Sequence, residues 1–233
     1  MINNMKIVNG DIKIKNDKIN IYFTTAEASI DYKIGLGEGE KSINILENKL
    51  NLKKIYFLKQ IHSDKIINTN DINNDLIVEG DALISNKRDI GIGVFTADCV
   101  PVIAYDKEKE IIAAIHSGWR GTYDNIVGKT IDKMIKDYGC SNIETIIGPH
   151  IKECCYEVSM EIVDKFNEKY NYKTKSRNIS IESYIKEQLE KYNEVKKIDN
   201  VNLCTFCSDK PKFYSYRKEG DLAGRMFSFI FLN

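Results

Sequence analysis

Residues 90–121 read IGIGVFTADCVPVIAYDKEKEIIAAIHSGWRG, and the fold class turns on their interpretation. Ile90 to Phe95, Val100 to Tyr105 and Ile111 to Ile115 are short runs rich in β-branched or aromatic residues, bounded by Gly, Asp or Asn. That pattern predicts strands. Toward the N-terminus, similar runs lie at Ile21 to Thr24, Ile55 to Leu58, Lys65 to Thr69 and Ala82 to Ser85, so the first half reads as predominantly β. Toward the C-terminus the period changes. Ile126, Val127, Thr130, Ile131, Met134, Ile135 and Tyr138 share one face of a helix expected over Tyr123 to Tyr138, and Gly139 supplies its stop. Two further helices are expected at Ser159 to Tyr170 and Ile181 to Tyr192, separated by the polar loop NYKTKSRN. Strands at Ile143 to Ile147, Val195 to Asn200 and Phe227 to Leu232 complete a mixed sheet. This uneven distribution fits α+β better than a regular βαβ alternation.

With 233 residues the chain can bury a substantial core, and 42% hydrophobic with 29% charged residues is ordinary globular usage. There are only three prolines and no Ser-rich linker or repeat, so residues 1–233 are expected to form a single domain. Thirty-four basic residues balance 34 acidic ones, which gives no electrostatic reason to expect nucleic acid or an anionic membrane as partner. The polar N-terminus lacks an apolar run of signal-peptide length, and no later run approaches a membrane span. A cytoplasmic location is the default expectation, and there six cysteines read as thiols or metal ligands rather than a disulfide framework.

Three stretches carry the chemistry: Gln60-Ile61-His62, Ala97-Asp98-Cys99-Val100-Pro101, and His116-Ser117-Gly118-Trp119-Arg120-Gly121. A thiolate and two imidazoles from three separate elements would make a three-ligand site, and zinc favours N and S donors. No fourth protein ligand is evident, and an open position is the mark of catalytic rather than structural zinc. An open zinc can lower the pKa of water toward ~7 or polarise a substrate oxygen.

In order along the chain, KQIHSDK, ADCVPVIAYD, AAIHSGWRGT, IGPHIKECCYEV and FYSYRKEG followed by GR resemble the bacterial purine nucleoside phosphorylase family with a laccase-like domain. It is also known as the peptidoglycan editing factor or polyphenol oxidase family. The resemblance runs from about Gln60 to the C-terminus. It implies a layered α/β/β/α mixed β-sandwich with helices outside, similar to the cytotoxic necrotizing factor catalytic domain. It also implies zinc on His62, Cys99 and His116. The activity implied is phosphorolysis of adenosine, inosine, guanosine or methylthioadenosine to free base and ribose 1-phosphate, with adenosine deaminase activity alongside. Small-molecule purine nucleosides and phosphate are then the partners. Arg120, next to a helix start, is the candidate grip on phosphate, with Ser117 beside it and Arg217 as a second cationic contact. The family carries two adjacent arginines at the last place, where this chain has Arg217 followed by Lys218.

Other readings compete. Cys99 and His116 can serve as nucleophile and base of a metal-free hydrolase acting on peptidoglycan precursors, although His62 then has no role. Copper-dependent polyphenol oxidation is disfavoured, because multicopper chemistry needs many more histidines than the three present. A non-enzymatic zinc module would need a closed four-ligand site. Asp98 reads equally as a turn residue or an acid/base, Trp119 as packing ahead of purine stacking, and His150 as a neighbour of the site rather than a ligand. Cys154-Cys155 with the C-x-x-C of Cys204 and Cys207 suggests four thiolates, but adjacent cysteines are expected to point apart.

Overall fold

The computed structural model describes residues 2, 4–35, 37–72 and 78–233. Among these, strands run at β1 (Met5–Val8), β2 (Asp11–Lys15), β3 (Ile19–Phe23), β4 (Lys54–Tyr56), β5 (Ile66–Asn68), β6 (Ala82–Ser85), β7 (Ile90–Thr96), β8 (Val100–Asp106), β9 (Ile111–Ser117), β10 (Ile143–Ile147), β11 (Val195–Asn200) and β12 (Met226–Leu232). Helices run at α1 (Glu38–Leu50), α2 (Trp119–Tyr123), α3 (Ile126–Tyr138), α4 (Met160–Lys169), α5 (Ile181–Leu189) and α6 (Tyr216–Glu219). The strands form two six-stranded mixed sheets, ordered β1-β2-β3-β12-β7-β4 and β11-β10-β8-β9-β6-β5. No helix among the described residues is long and apolar enough to cross a membrane.

Strand alternation assigns each buried side chain to a layer. In β9, Ala113 and Ile115 join the apolar cluster beneath α3, α4 and α5, whereas Ile112 and Ala114 face the first sheet together with Ile92, Val94 and Ile230. The outer face of the first sheet packs Phe227, Phe229 and Phe231 of β12 against Ile43 of α1. The arrangement is α+β, with helices outside two stacked sheets.

The IGIG start of β7 is a packing device. Phe229 pairs with Gly93 and Phe231 with Gly91, so the missing side chains leave room for aromatic rings. A Cβ on Gly93 would lie 2.3 Å from Phe227 Cζ. Gly93→Ala should therefore cost about 1–3 kcal/mol by overpacking. The denaturant midpoint measures this, and an unchanged midpoint would show that the rings can shift aside.

The expected helix over Tyr123 to Tyr138 is broken in the structure. Asn125 takes a left-handed backbone (φ 65°), which separates α2 from α3. The helix α1 was not anticipated, because its start at Gly37 has no side-chain cap to announce it. The strands β1 and β2 were missed too, since their lysines interrupt the apolar pattern.

Candidate metal centre

His62, Cys99 and His116 converge because the chain passes between the two sheets where the first two of them lie. His62 lies in the crossover from β4 in the first sheet to β5 in the second, and Cys99 in the crossover from β7 to β8. His116 lies near the end of β9, where the β8–β9 register sets it opposite Pro101, two residues beyond Cys99. The ligand atoms of all three lie within 4.8 Å of one another, and the two imidazole rings meet edge to face with centroids 4.9 Å apart.

Asp81 orients this group. It is fully buried, and its carboxylate is 2.9 Å from His116 Nδ1. It also accepts from the amides of Ile61, His62 and Ser63 and from the Ser63 hydroxyl. These contacts hold the turn that keeps His62 in a left-handed conformation (φ 58°). With Nδ1 committed to Asp81, Nε2 of His116 is the nitrogen left for a metal, the usual carboxylate–histidine arrangement behind a bound ion. Burial works against the Asp81 carboxylate, but the His116 and Ser63 hydrogen bonds outweigh it and draw the pKa down to about 2.

Cys99 is electrostatically tuned. Burial opposes its thiolate, yet the charge and hydrogen bond of His116, together with His62, bring the pKa down to about 6. The same pairing with Cys99 and Asp81 overcomes burial at His116 and raises it to about 9. In metal-free protein the rate of Cys99 alkylation should therefore titrate near pH 6, well below the ordinary thiol value of 9.0. A midpoint near 9 would show that the pair does not form.

Gly118 supplies space. A Cβ there would lie 3.0 Å from Cys99 Sγ and 3.2 Å from His62 Cδ2. Its φ of −76° suits any residue, so Gly118→Ala tests only the steric demand of the donor cluster. It is expected to reduce metal occupancy with little change in the denaturant midpoint, which metal analysis of the variant would check.

The donor cluster opens into a cavity of about 920 Å³. Phe57, Phe95, Trp119 and Tyr156 give it aromatic walls, and Lys33, Lys59, Arg217 and Arg225 give it cationic ones. Asp98 also reaches this wall, but its carboxylate is taken up by the Thr205 hydroxyl (2.6 Å), the Ser215 hydroxyl (2.9 Å) and the Arg217 amide (2.7 Å). Its role is therefore to tie the segments around residues 98, 205 and 215–217 together. The left-handed backbone of Asp98 (φ 90°) belongs to the turn that presents Cys99.

The remaining sequence candidates are placed unevenly. Arg217 lines the cavity, with one guanidinium nitrogen donating to the Glu157 carbonyl at 2.9 Å. Ser117 is fully buried on the helix side of β9, where its hydroxyl meets Thr122. Alternation explains this, since adjacent residues of a strand point to opposite faces. Arg120 is exposed on α2, 4.4 Å from the Trp119 ring, and is not among the cavity-lining residues. Trp119 both lines the cavity and packs on the helix-side core. His150 is buried, with Nδ1 on the Gly148 carbonyl and Nε2 3.3 Å from Glu182. Asp81, Tyr156 and Arg225 are site residues that the sequence does not announce. The Gln60 amide clamps the backbone of Phe95 through both its oxygen and nitrogen, fixing the approach to His62. The four cysteines at 154, 155, 204 and 207 do not point apart as expected, because their sulfurs gather within 4.8 Å of one another.

Comparison with known proteins agrees with this architecture. Residues 38–233 match the family model described as multi-copper polyphenol oxidoreductase laccase. A purine nucleoside phosphorylase of Clostridium acetobutylicum is 45% identical over 225 residues, covering 94% of each chain. A purine nucleoside phosphorylase of Aquifex aeolicus is 38% identical over 202 residues, covering 81% of this chain and 93% of its own. Among solved structures, YlmD of Geobacillus stearothermophilus superposes with a TM-score of 0.85 at 22% identity, covering 96% of both chains. The hypothetical protein YfiH of Bacillus licheniformis gives 0.84 at 23% identity over the whole of both chains.

Proposed function

Because the chain belongs to the multi-copper polyphenol oxidoreductase laccase family, with relatives named purine nucleoside phosphorylase, we propose that it is a zinc-dependent purine nucleoside phosphorylase that also deaminates adenosine. The observation that carries this reading is the three-donor N, N, S cluster opening into an aromatic and cationic cavity. The donors fit zinc: two nitrogens and one sulfur, His116 oriented by Asp81, and a glycine where a methyl group would crowd two of them. His62, Cys99 and His116 would hold the ion, which supplies Lewis acidity toward a substrate oxygen or a water in its open position.

The protein's own groups do the rest. The rings of Phe57, Phe95, Trp119 and Tyr156 offer faces for a purine. Arg217 and Arg225 offer guanidinium groups for phosphate, and their fork suits bidentate contact with its oxygens. Arg225 is braced for this by donating Nη1 to the carbonyls of Ala223 and Gly224. In phosphorolysis a phosphate oxygen bonds to ribose C1′ as the bond from C1′ to the purine nitrogen breaks. The base departs carrying the proton that the attacking hydrogen phosphate gives up. Holding phosphate and nucleoside together in one cavity removes the entropic cost of their encounter.

Multicopper oxidation fits the residues poorly. The chain has three histidines, and His150 is buried on a backbone carbonyl, so only two remain for copper. One observation favours a second reading. Asp81 behind His116, and His116 beside a low-pKa Cys99, form a nucleophile, base and orienting group suited to a cysteine hydrolase of cell-wall precursors.

Metal analysis combined with chromatography of adenosine reactions, with and without phosphate, decides between the readings. Adenine and ribose 1-phosphate formed only with phosphate, by protein holding zinc on this cluster, supports phosphorolysis. Inosine formed without phosphate supports deamination. Metal-free protein that leaves adenosine intact would overturn the proposal in favour of the hydrolase.

A further inference from the structure

We propose that Cys154, Cys155, Cys204 and Cys207 form a second, closed zinc site that braces the wall of the cavity. All four are free thiols, and their sulfurs lie within 4.8 Å of one another. Cys154 and Cys207 are separated by 3.6 Å. A tetrahedral ion with zinc–sulfur bonds of about 2.3 Å sets its sulfurs roughly 3.8 Å apart, so the cluster has the dimensions of a tetrathiolate shell. A disulfide would need two sulfurs only, and at about 2.05 Å. Convergence of four, from segments about fifty residues apart in sequence, is the geometry a metal requires.

The local backbone explains how adjacent cysteines can both contribute. Residues 153–155 form a tight turn in which the amides of Cys155 and Tyr156 both donate to the Lys152 carbonyl. A turn does not send successive side chains to opposite faces as a strand does. On the other side, Cys204 to Cys207 form a C-x-x-C turn closed by the Ser208 amide on the Cys204 carbonyl, with the Ser208 hydroxyl accepting from the Cys204 amide. The Lys152 amide points at the Cys204 sulfur, 3.5 Å away. Amide donors to sulfur favour a thiolate, the form that binds metal.

The site is closed by four protein ligands, so its work is structural. The segments it joins lie directly behind Cys99. Thr205, between two of the cysteines, donates to the Asp98 carboxylate, and the Ile151 amide donates to the Asp98 carbonyl. Tyr156, next to Cys155, lines the cavity. Zinc here would fix the loops that hold the turn presenting Cys99.

The test is zinc stoichiometry in wild-type protein, Cys99→Ser, the double variant Cys204→Ser/Cys207→Ser and the exposed single variant Cys154→Ser, with absorption spectra after cobalt substitution. The expected result is two zinc ions per wild-type chain. Cys99→Ser should lose one and keep the intense tetrathiolate cobalt spectrum, whereas the cysteine-cluster variants should lose that spectrum. If the double variant fails to fold, Cys154→Ser alone gives the spectroscopic answer. Wild-type zinc unaffected by the cluster variants, iron in place of zinc, or disulfides among these four in unreduced protein would each overturn the proposal. Failure of the His62, Cys99 and His116 site is separately visible, since Cys99→Ser would then leave the zinc count unchanged.

Discussion

Cys99→Ser is expected to remove zinc from the three-donor cluster and to lower kcat/KM for purine nucleosides by about 10³-fold, equivalent to about 4 kcal/mol of transition-state stabilisation. Serine is nearly isosteric, so the cavity walls and the Asp98 anchor should survive the change. What disappears is the thiolate. A serine hydroxyl remains protonated at neutral pH, whereas the two histidines, acting against burial, leave Cys99 with a pKa of about 6. Zinc would then have two imidazoles and water, too few strong donors to compete with solvent. Occupancy and turnover should fall together, as measured by metal analysis and steady-state kinetics on the same preparation. Undiminished turnover in metal-free Cys99→Ser protein would defeat the zinc mechanism.

Asp81→Asn should produce the second large effect, and through a different route. The carboxylate accepts from three amides, a hydroxyl and His116. The amide that replaces it carries two N–H donors that must face some of those donors. Zinc affinity should fall about 10–100-fold, as expected when the partner behind a metal-binding histidine is lost. Stability should fall by about 3 kcal/mol, because buried donors lose their acceptor. The pH dependence adds a control. With a folded pKa of about 2 against an ordinary 3.8, the Asp81 contribution is complete above 3.8 and is lost as pH falls through about 2. The gap between wild type and variant should therefore narrow in strong acid. A constant gap, or unchanged zinc affinity in a folded variant, would show that Asp81 does not orient His116.

The sheets were legible in the sequence because most strands are buried and strongly β-branched. Val100–Asp106 and Ile111–Ser117 are buried throughout, and their apolar runs survive without reference to any partner. The cluster of His62, Cys99 and His116 was legible for a related reason: each stands at the edge of such a run. The aids to these three were hidden. Asp81 precedes β6 as an ordinary strand-boundary residue, and only the tertiary structure reveals a fully buried carboxylate. Ser117 follows His116 in sequence, but strand alternation turns it to the opposite face of β9, away from the main cavity. Arg225, just before β12, borders the cavity because β12 pairs with β7, the strand that leads to Cys99. The spacing of Cys154, Cys155, Cys204 and Cys207 suggests four thiolates, but their gathering depends on two loops meeting, which only the tertiary structure shows.

The place of β12 between β3 and β7 governs the order in which the molecule can be assembled. Until residues 226–232 have been synthesised, β1–β3 and β7 with β4 lack the strand that joins them. The turn bearing Cys99 likewise awaits residues 205–217, its anchors. Such distant pairing makes for slow folding. A nascent chain halted anywhere between His116 and Ser215 would carry His62, Cys99 and His116 without the frame that positions them. If the three-donor cluster holds zinc, protein made in cells is therefore expected to load it after synthesis of the domain, rather than on the ribosome.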